Sequence, residues 1–205
     1  MRVSGLFILC LLATGISAQQ AAGPLWYLNG GFSVGNYWGG HVGINYVSKN
    51  NVSLQIEYSE ITRKAKSTPD DFSTGLIGAM AMGMIDPQDK IHSLRFMAGK
   101  VSVLNPRASI RLNLKAGLSY LSLSNPENYR ETAGLFLAPN YEWDEHKRYR
   151  IGIVLKPEFE FIFAGFLGGT ASPCFEFTKG ATSIGLGVNF LLGKVRPARI
   201  ENQRS

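Results

Sequence analysis

The segment 109–120 alternates between apolar and polar side chains without a break, and this pattern constrains the fold more than any other feature of the chain. Successive side chains of a β-strand point to opposite faces, so such a segment forms a strand with one oily face and one polar face. The apolar face consists of Ile110, Leu112, Leu114, Ala116, Leu118 and Tyr120. Similar alternation recurs along the chain, which predicts an all-β protein.

The first residues have the pattern of a secretory signal peptide. Arg2 precedes an apolar run over 6–13 that is too short to cross a bilayer as a helix, and Ala18 offers a small residue for cleavage. We therefore predict a signal peptide over 1–18 and a short N-terminal lead over 19–24. If Cys10 leaves with the signal peptide, Cys174 stays behind without an intramolecular disulfide partner in an oxidising compartment.

Eight segments have the character of strands, and the connections between them alternate in length. The predicted strands span about 25–34, 41–48, 52–61, 91–103, 109–120, 131–143, 149–163 and 181–192. Connections after the second, fourth and sixth strands are short, including a charged turn over 144–147, whereas a Gly-rich connection with Cys174 follows the seventh. Short periplasmic turns, longer outer loops and an even strand number predict an eight-stranded antiparallel up-and-down transmembrane β-barrel over 25–192. A disordered basic periplasmic tail is predicted for 193–205.

Alternation alone does not separate a membrane barrel from a soluble secreted calyx, in which the apolar side chains point inward. The aromatic residues favour the membrane barrel, because they fall near the strand ends on the apolar face, as in the aromatic girdles of membrane proteins. The predicted periplasmic set is Trp26, Tyr46, Tyr141, Trp143, Tyr149 and Phe190, and the predicted outer set is Tyr58, Tyr120, Phe161 and Phe163.

The polar parity of the strands then lines a narrow lumen, where charged side chains have to pair because an unpaired buried charge is costly. The predicted lumen charge network consists of Glu57, Arg95, Arg111, Lys115, Arg150, Lys156, Glu158 and Glu160. Pro139 and Pro157 lie inside predicted strands, so each requires a bulge or a strand end. Lys100 falls on the lipid face, unless a bulge at Gly99 shifts the register or its ammonium group reaches the interface.

With these features the chain resembles the small eight-stranded outer-membrane barrels of the OmpX/OmpA-like and Bacteroidetes-type families. The resemblance covers about 25–192 and is sharpest over 183–190, which is similar to the terminal assembly signal of such barrels. In those families the barrel-assembly machinery reads this signal, and the resemblance implies that role for Gly185, Val188 and Phe190. The polar, basic extension after Leu191 departs from the family pattern.

The residue content argues against most kinds of active site. The sequence has no phosphate-binding loop, no metal-ligand cluster and no basic patch with interleaved aromatics, so no cofactor, metal or nucleic-acid partner is predicted. The adjacent His92 and Ser93 point to opposite faces of a strand, which is poor geometry for a base and its nucleophile. The apolar segment Met80–Met84 in a predicted outer loop either packs on the barrel rim or offers a contact surface.

The sequence therefore predicts a bacterial outer-membrane protein without enzymatic activity, whose outer loops perform structural, adhesive or surface-interaction work. Its predicted partners are membrane lipid, the barrel-assembly machinery and an extracellular or surface partner. Three alternatives stay open besides this one: a small pore, a soluble calyx, and a lipid-modifying barrel enzyme that uses His41, His92 and Glu158.

Overall fold

The computed structural model describes residues 23–80, 86–132 and 139–196. The predicted signal peptide, residues 81–84 of the methionine segment and the tail beyond residue 196 lie outside these described residues. The short helix α1 (Gly75–Met80) lies between β3 and β4, and no helix in the described ranges is long and apolar enough to cross a membrane. The strands are β1 (Leu25–Gly35), β2 (Trp38–Val47), β3 (Val52–Lys64), β4 (Gln88–Val103), β5 (Ile110–Glu131), β6 (Tyr141–Ile162), β7 (Leu167–Thr178) and β8 (Ala181–Lys194).

Each strand pairs antiparallel with the next one, and β8 returns to pair with β1, so the sheet closes into a barrel. The closing seam keeps one register from Trp26 opposite Lys194 to Gly35 opposite Gly185. Asn51 closes the tight β2–β3 turn with a φ of 62°, a conformation that asparagine tolerates better than most residues. The predicted eight-stranded up-and-down barrel is confirmed.

The predicted number of strands is right, but one of the eight predicted strands does not exist and one of the eight observed strands was not predicted. The predicted strand 131–143 and the charged turn 144–147 do not exist as such, because 144–147 lies inside the continuous strand β6. This strand pairs with β5 from Ile110 opposite Phe161 to Glu131 opposite Tyr141, with one shift of register between Glu127 and Arg130. The predicted Gly-rich connection is instead strand β7. The two errors have different causes. β6 is polar where it leaves the membrane, whereas glycine, serine and proline weaken the apolar alternation of β7.

The barrel turns its apolar side chains outward and its charged side chains inward. Ile153 is 63% exposed and Leu186 is 53% exposed, whereas Arg111 and Glu158 are 3% and 1% exposed. A soluble calyx has the opposite arrangement, since water would surround its polar face. A closed ring of apolar side chains around a charged interior is the arrangement of a barrel that spans a lipid bilayer.

The aromatic residues lie at both ends of the barrel, but several lie at the end opposite to the predicted one. Trp26 and Tyr46 pair at the end with the short turns, with ring centroids 4.5 Å apart. At the other end, Tyr149 stacks on Tyr120 at 5.9 Å, so its predicted periplasmic position is wrong. Tyr141 and Trp143 also lie at that outer end, whereas Phe161 and Phe163 lie at the periplasmic end and not in the predicted outer set. These corrections follow from the direction of β6.

The two expected irregularities are accommodated without bulges. No β6–β7 pairs form between Leu155 opposite Phe175 and Phe159 opposite Ala171, and the shared register there places Pro157 opposite Pro173. Two prolines that lack a backbone N–H thus meet at one interruption of the ladder. Pro139 lies just outside β6. The register of β4 runs through Gly99 and Lys100 without a shift, so Lys100 stays on the lipid face.

Candidate functional site

The middle of the lumen holds four cations and four carboxylates among the described residues, all at most 3% exposed, while the buried Asp89 lies nearer the outer end and pairs with Arg63. Seven of these eight residues belong to the predicted lumen charge network, and the eighth, Glu176, lies on β7, the strand that sequence reasoning missed. Arg150 does not join them, because it lies exposed on β6 beyond the barrel wall. The set consists of Arg95, Arg111, Lys115, Lys156, Glu57, Glu158, Glu160 and Glu176.

Every one of these charges lies in an ion pair. Glu57 contacts the Arg95 guanidinium at 2.9 Å and the Lys156 ammonium at 2.6 Å, and the opposite side of Arg95 contacts Glu176 at 2.7 Å. Glu158 lies 2.6 Å from Lys115 and 3.3 Å from Lys156. Nearer the periplasm, Arg111 pairs with Glu160 at 2.5 Å. Equal numbers of both signs leave this interior neutral, which limits the cost of burying it.

Polar neighbours and a glycine make room for this network. Glu57 also accepts hydrogen bonds from the Asn29 and Gln55 side chains at 3.0 and 2.8 Å. Gly43 lies between Asn29 and Glu57 in the strand register, and a Cβ there would approach Asn29 Oδ1 to 2.7 Å. A larger residue at position 43 would therefore displace the side chains that hold the Glu57 carboxylate.

Apolar side chains close the lumen above and below the charges. One cluster fills the periplasmic end, and a second cluster that includes Tyr37 and Ile61 fills the outer end. A cavity of about 10 Å³, beside Arg95, Lys156 and Cys174, has room for one water molecule at most. The periplasmic cluster consists of Leu25, Tyr27, Val47, Val101, Ile162, Leu191 and Val195. Such a filled interior offers no continuous path for ions.

The residues of the predicted enzyme alternative lie at separate places. His41 contacts Asn189 inside the lumen, and Glu158 lies in the charge network. His92 lies on the outer surface, where its Nδ1 is 3.0 Å from the Tyr58 hydroxyl and 3.7 Å from Glu60. His146 lies in β6 and not in a periplasmic turn. The structure does not bring His41, His92 and Glu158 together.

The most prominent feature of the outer end is a long hairpin, formed by 121–131 of β5 and 141–151 of β6 and called the outer hairpin below. Both strands have 22 residues, whereas β4 has 16 and β7 has 12. The pairing of β4 with β5 ends at Ser124, and the pairing of β7 with β6 ends at Gly152. At about 3.3 Å per residue, the hairpin reaches on the order of 30 Å past the last β7 pair.

The β3–β4 connection lies against the tip of the outer hairpin. Tyr141 donates to the Asp71 carboxylate at 2.9 Å, and the Asn140 backbone N–H donates to the Ser73 carbonyl at 3.0 Å. The hydrogen bond to Asp71, together with partial burial and the Glu131 carboxylate, raises the pKa of Tyr141 to about 12. Phe72 adds aromatic contacts, with its ring centroid 5.9 Å from that of Trp143. These contacts tether the loop to the hairpin.

The other side of the outer hairpin is an open strand edge. In the described part of the chain, no strand pairs with 141–151 on the side that faces β7. In an antiparallel strand, alternate residues direct both backbone groups to the same neighbour. The Ile151 carbonyl accepts from the Thr178 side chain of β7 at 2.9 Å, so the odd-numbered residues from Trp143 to Tyr149 direct their backbone groups to this open edge.

Charged side chains cover the hairpin and stiffen it. Arg148 pairs with Glu127 at 2.6 Å, and Glu145 pairs with Lys90 at 3.3 Å. Partial burial acts to raise the pKa of Glu145, but the Lys90 ammonium outweighs it and holds that pKa below its ordinary value. Because Glu127 neutralises Arg148, the positive charge of the membrane-proximal part of the open edge comes from Lys147 and Arg150. Charged side chains are a common protection of exposed edges against indiscriminate pairing.

The residues of the family-implied assembly signal lie on β8, the strand that closes the barrel. Val188 and Phe190 point to the lipid and are 62% and 72% exposed. Gly185 lies opposite Gly35 of β1, where a Cβ would approach the Val34 carbonyl oxygen to 3.0 Å. A small residue thus lets the two strands of the closing seam approach each other.

No protein-family model and no curated protein sequence matches the chain, but solved structures match its fold. Neisserial surface protein A aligns with 85% of this chain and 99% of its own, at 12% identity and a TM-score of 0.53. A major outer membrane protein of Thermus thermophilus aligns with 82% of this chain and 99% of its own, at 11% identity and a TM-score of 0.53.

Ail, the attachment invasion locus protein of Yersinia pestis, aligns with 83% of this chain and 96% of its own, at 10% identity and a TM-score of 0.48. The two structures with TM-scores of 0.53 show a common fold, and identities this low show nothing about a common task. The apolar exterior explains why this fold suits a membrane. The chain therefore has the fold of the small eight-stranded outer-membrane β-barrels.

Proposed function

We propose that the protein is a non-enzymatic surface-interaction barrel, which binds an extended segment of a partner protein along the open edge of the outer hairpin. The observation that carries this proposal is the run of β6 from Trp143 to Tyr149, which pairs with no described strand on its β7 side. The Tyr149 carbonyl accepts from the Arg150 guanidinium at 2.9 Å, so Trp143, Glu145 and Lys147 are the open positions. An added strand would satisfy the backbone N–H and C=O groups of that run, which is the general mode of recognition by β-strand addition. The lumen is filled, which speaks against the pore alternative.

The charges of the edge specify the kind of segment that fits. Lys147 and Arg150 are basic, so a partner strand with acidic side chains opposite them gains complementary contacts. The tether between Asp71 and Tyr141 holds the hairpin from its other side, so the edge is presented on a stiff support. A stiff support lowers the ordering cost of binding.

A synthetic peptide of alternating valine and glutamate tests the proposal. We expect saturable binding to the detergent-solubilised barrel by fluorescence anisotropy, with slower amide hydrogen exchange at Glu145 and Lys147. Lys147→Pro removes an edge N–H and should abolish binding, because proline is tolerated on an edge but donates no ladder bond. Lys147→Gln is the matched control, which keeps the N–H and should weaken binding only modestly.

The same peptide with N-methyl groups on alternate residues separates strand addition from charge attraction. It keeps every side chain but cannot complete the ladder, so we expect it to bind poorly. Equal binding of the methylated peptide, or unchanged binding by Lys147→Pro, would contradict the proposal.

A second candidate function, hydrolysis of a lipid ester, is favoured by one observation. Glu60, His92 and Ser122 lie directly opposite one another on three adjacent strands, on the lipid-facing side near the outer end. A serine, a histidine and a carboxylate are the elements of a nucleophilic site. Surface interaction is preferred, because the His92 Nδ1 lies nearer to Tyr58 than to Glu60. The second candidate function is correct if the wild type cleaves fluorogenic lipid esters and neither Ser122→Ala nor His92→Ala cleaves them.

We also propose that Gly185, Val188 and Phe190 direct assembly of the barrel into the outer membrane. The support is the place of these residues on β8 and the outward position of the Phe190 side chain, which is free to meet another protein before lipid surrounds it. Phe190→Ala should lower the amount of folded barrel in cells, measured as heat-modifiable migration. Leu192→Ala, on the same face and 55% exposed, is the control and should have a smaller effect.

A further inference from the structure

The lipid face carries a groove where two alanines interrupt a row of large side chains. Ala98 of β4 lies directly opposite Ala116 of β5. In the next row toward the outer end, Phe96 and Leu118 are 50% and 59% exposed and form one wall. The row that contains the alanines crosses six strands as Trp26, Tyr46, Leu54, Ala98, Ala116 and Leu155. The resulting groove has a volume of about 710 Å³.

Two cations border this groove in the strand register: Lys194 lies opposite Trp26 at its far end, and Lys100 lies beside the two alanines. Lys100 follows Ala98 by two residues on the same face of β4, and it is exposed. It lies near the periplasmic end, because its partner Val52 is the first residue of β3. At a lipid face, a lysine keeps its stem along apolar surface and places its ammonium group at the headgroup level.

We propose that this groove binds one phospholipid, with an acyl chain in the groove and the phosphate beside the Lys100 ammonium. The apolar lining matches a hydrocarbon chain, and the narrow floor at Ala98 and Ala116 leaves space that a chain fills. The cation has no counter-charge from its strand partners, since Val52 and Leu114 are both apolar. The phosphate of a bound lipid supplies that counter-charge at the right depth of the membrane.

The same cation argues against a second copy of the chain as the occupant. Two barrels that meet symmetrically at this face would bring their Lys100 side chains toward each other in a medium of low dielectric constant. Like charges repel strongly in such a medium, and the apolar neighbours Val52 and Leu114 cannot relieve the repulsion. A lipid occupant has no such conflict.

Native mass spectrometry of the folded, detergent-solubilised barrel tests the proposal. The probes are phosphatidylglycerol and a diacylglycerol with the same acyl chains but no phosphate. We expect one phosphatidylglycerol per barrel to be retained preferentially over diacylglycerol. Ala98→Phe fills the groove and should abolish this retention. Lys100→Gln should weaken it about fivefold, the factor expected for one lysine near a lipid headgroup.

The matched control is Lys179→Gln, which removes an exposed positive charge at the opposite end of the barrel and should leave lipid retention unchanged. Heat-modifiable migration shows for each variant whether the barrel is folded. If Ala98→Phe does not fold, Leu118→Ala takes its place, because it removes part of one wall of the groove. Equal retention of the two lipids, wild-type retention in both Lys100→Gln and the groove variant, or a lipid-free dimer would each overturn the proposal.

Discussion

The paired charges of the lumen predict that removing one member of an ion pair lowers the free energy of unfolding much more than removing both members. Glu57→Gln keeps the shape of the side chain but leaves four cations against three carboxylates in the interior. Loss of one partner of a buried ion pair costs about 3–5 kcal/mol, because the other charge stays buried without compensation. Arg95 keeps Glu176 at 2.7 Å and Lys156 keeps Glu158 at 3.3 Å, so we expect the lower limit, about 3 kcal/mol.

The double variant Glu57→Gln with Lys156→Met restores neutrality, since it removes both members of the pair at 2.6 Å. We expect it to unfold within about 1 kcal/mol of the wild type, because replacing a whole buried pair is often neutral. Urea unfolding in phospholipid vesicles, followed by tryptophan fluorescence and by gel migration, measures the three free energies. A double variant less stable than Glu57→Gln alone would refute the reasoning, because the effects would then add as they do at independent sites.

Three further predictions follow from the fold. Replacing both Pro157 and Pro173 with valine supplies two backbone donors at the interrupted ladder and should stabilise the barrel by about 2 kcal/mol in urea unfolding. An unchanged stability would contradict the idea that the two prolines interrupt the ladder. Because the pKa of Tyr141 is raised, its hydrogen bond to Asp71 stabilises the β3–β4 connection fully below pH 10 and is lost as the pH rises through about 12. We expect proteolysis of this connection to become faster over that pH range. The connection should be cleaved readily at every pH in Tyr141→Phe. The filled lumen predicts no steady conductance in planar bilayers, and a reproducible open channel would disprove it.

Sequence reasoning succeeded where the bilayer imposes a strict alternation. The segment 109–120 has apolar residues at every second position because lipid lies on one side of the wall and charge on the other. The same logic predicted the burial of Glu57, Lys115 and Glu160, each at most 1% exposed. A lipid-facing or lumen-facing position can therefore be assigned without any knowledge of tertiary contacts.

It failed where water replaces lipid as the solvent. In the outer hairpin both faces meet water, so alternation vanishes and the charged run at 144–147 has the composition of a turn. For the same reason Trp143 and Tyr149 were predicted at the periplasmic end and not at the outer end, and Arg150 was predicted in the lumen. Glu176 was missed because Pro173 and Cys174 hid the strand around it.

The sequence by itself determined the class of the fold, the inward direction of most charges and the location in a membrane, because these follow from side-chain periodicity and solvation. Only the tertiary structure decided which charges pair, that β6 leaves an open edge, and that Ala98 and Ala116 form a groove beside Lys100. Those features depend on the register of paired strands and on which side chains meet across the closed barrel. The alternation of a strand fixes which face each side chain takes, but contacts across the lumen exist only once the ring has closed.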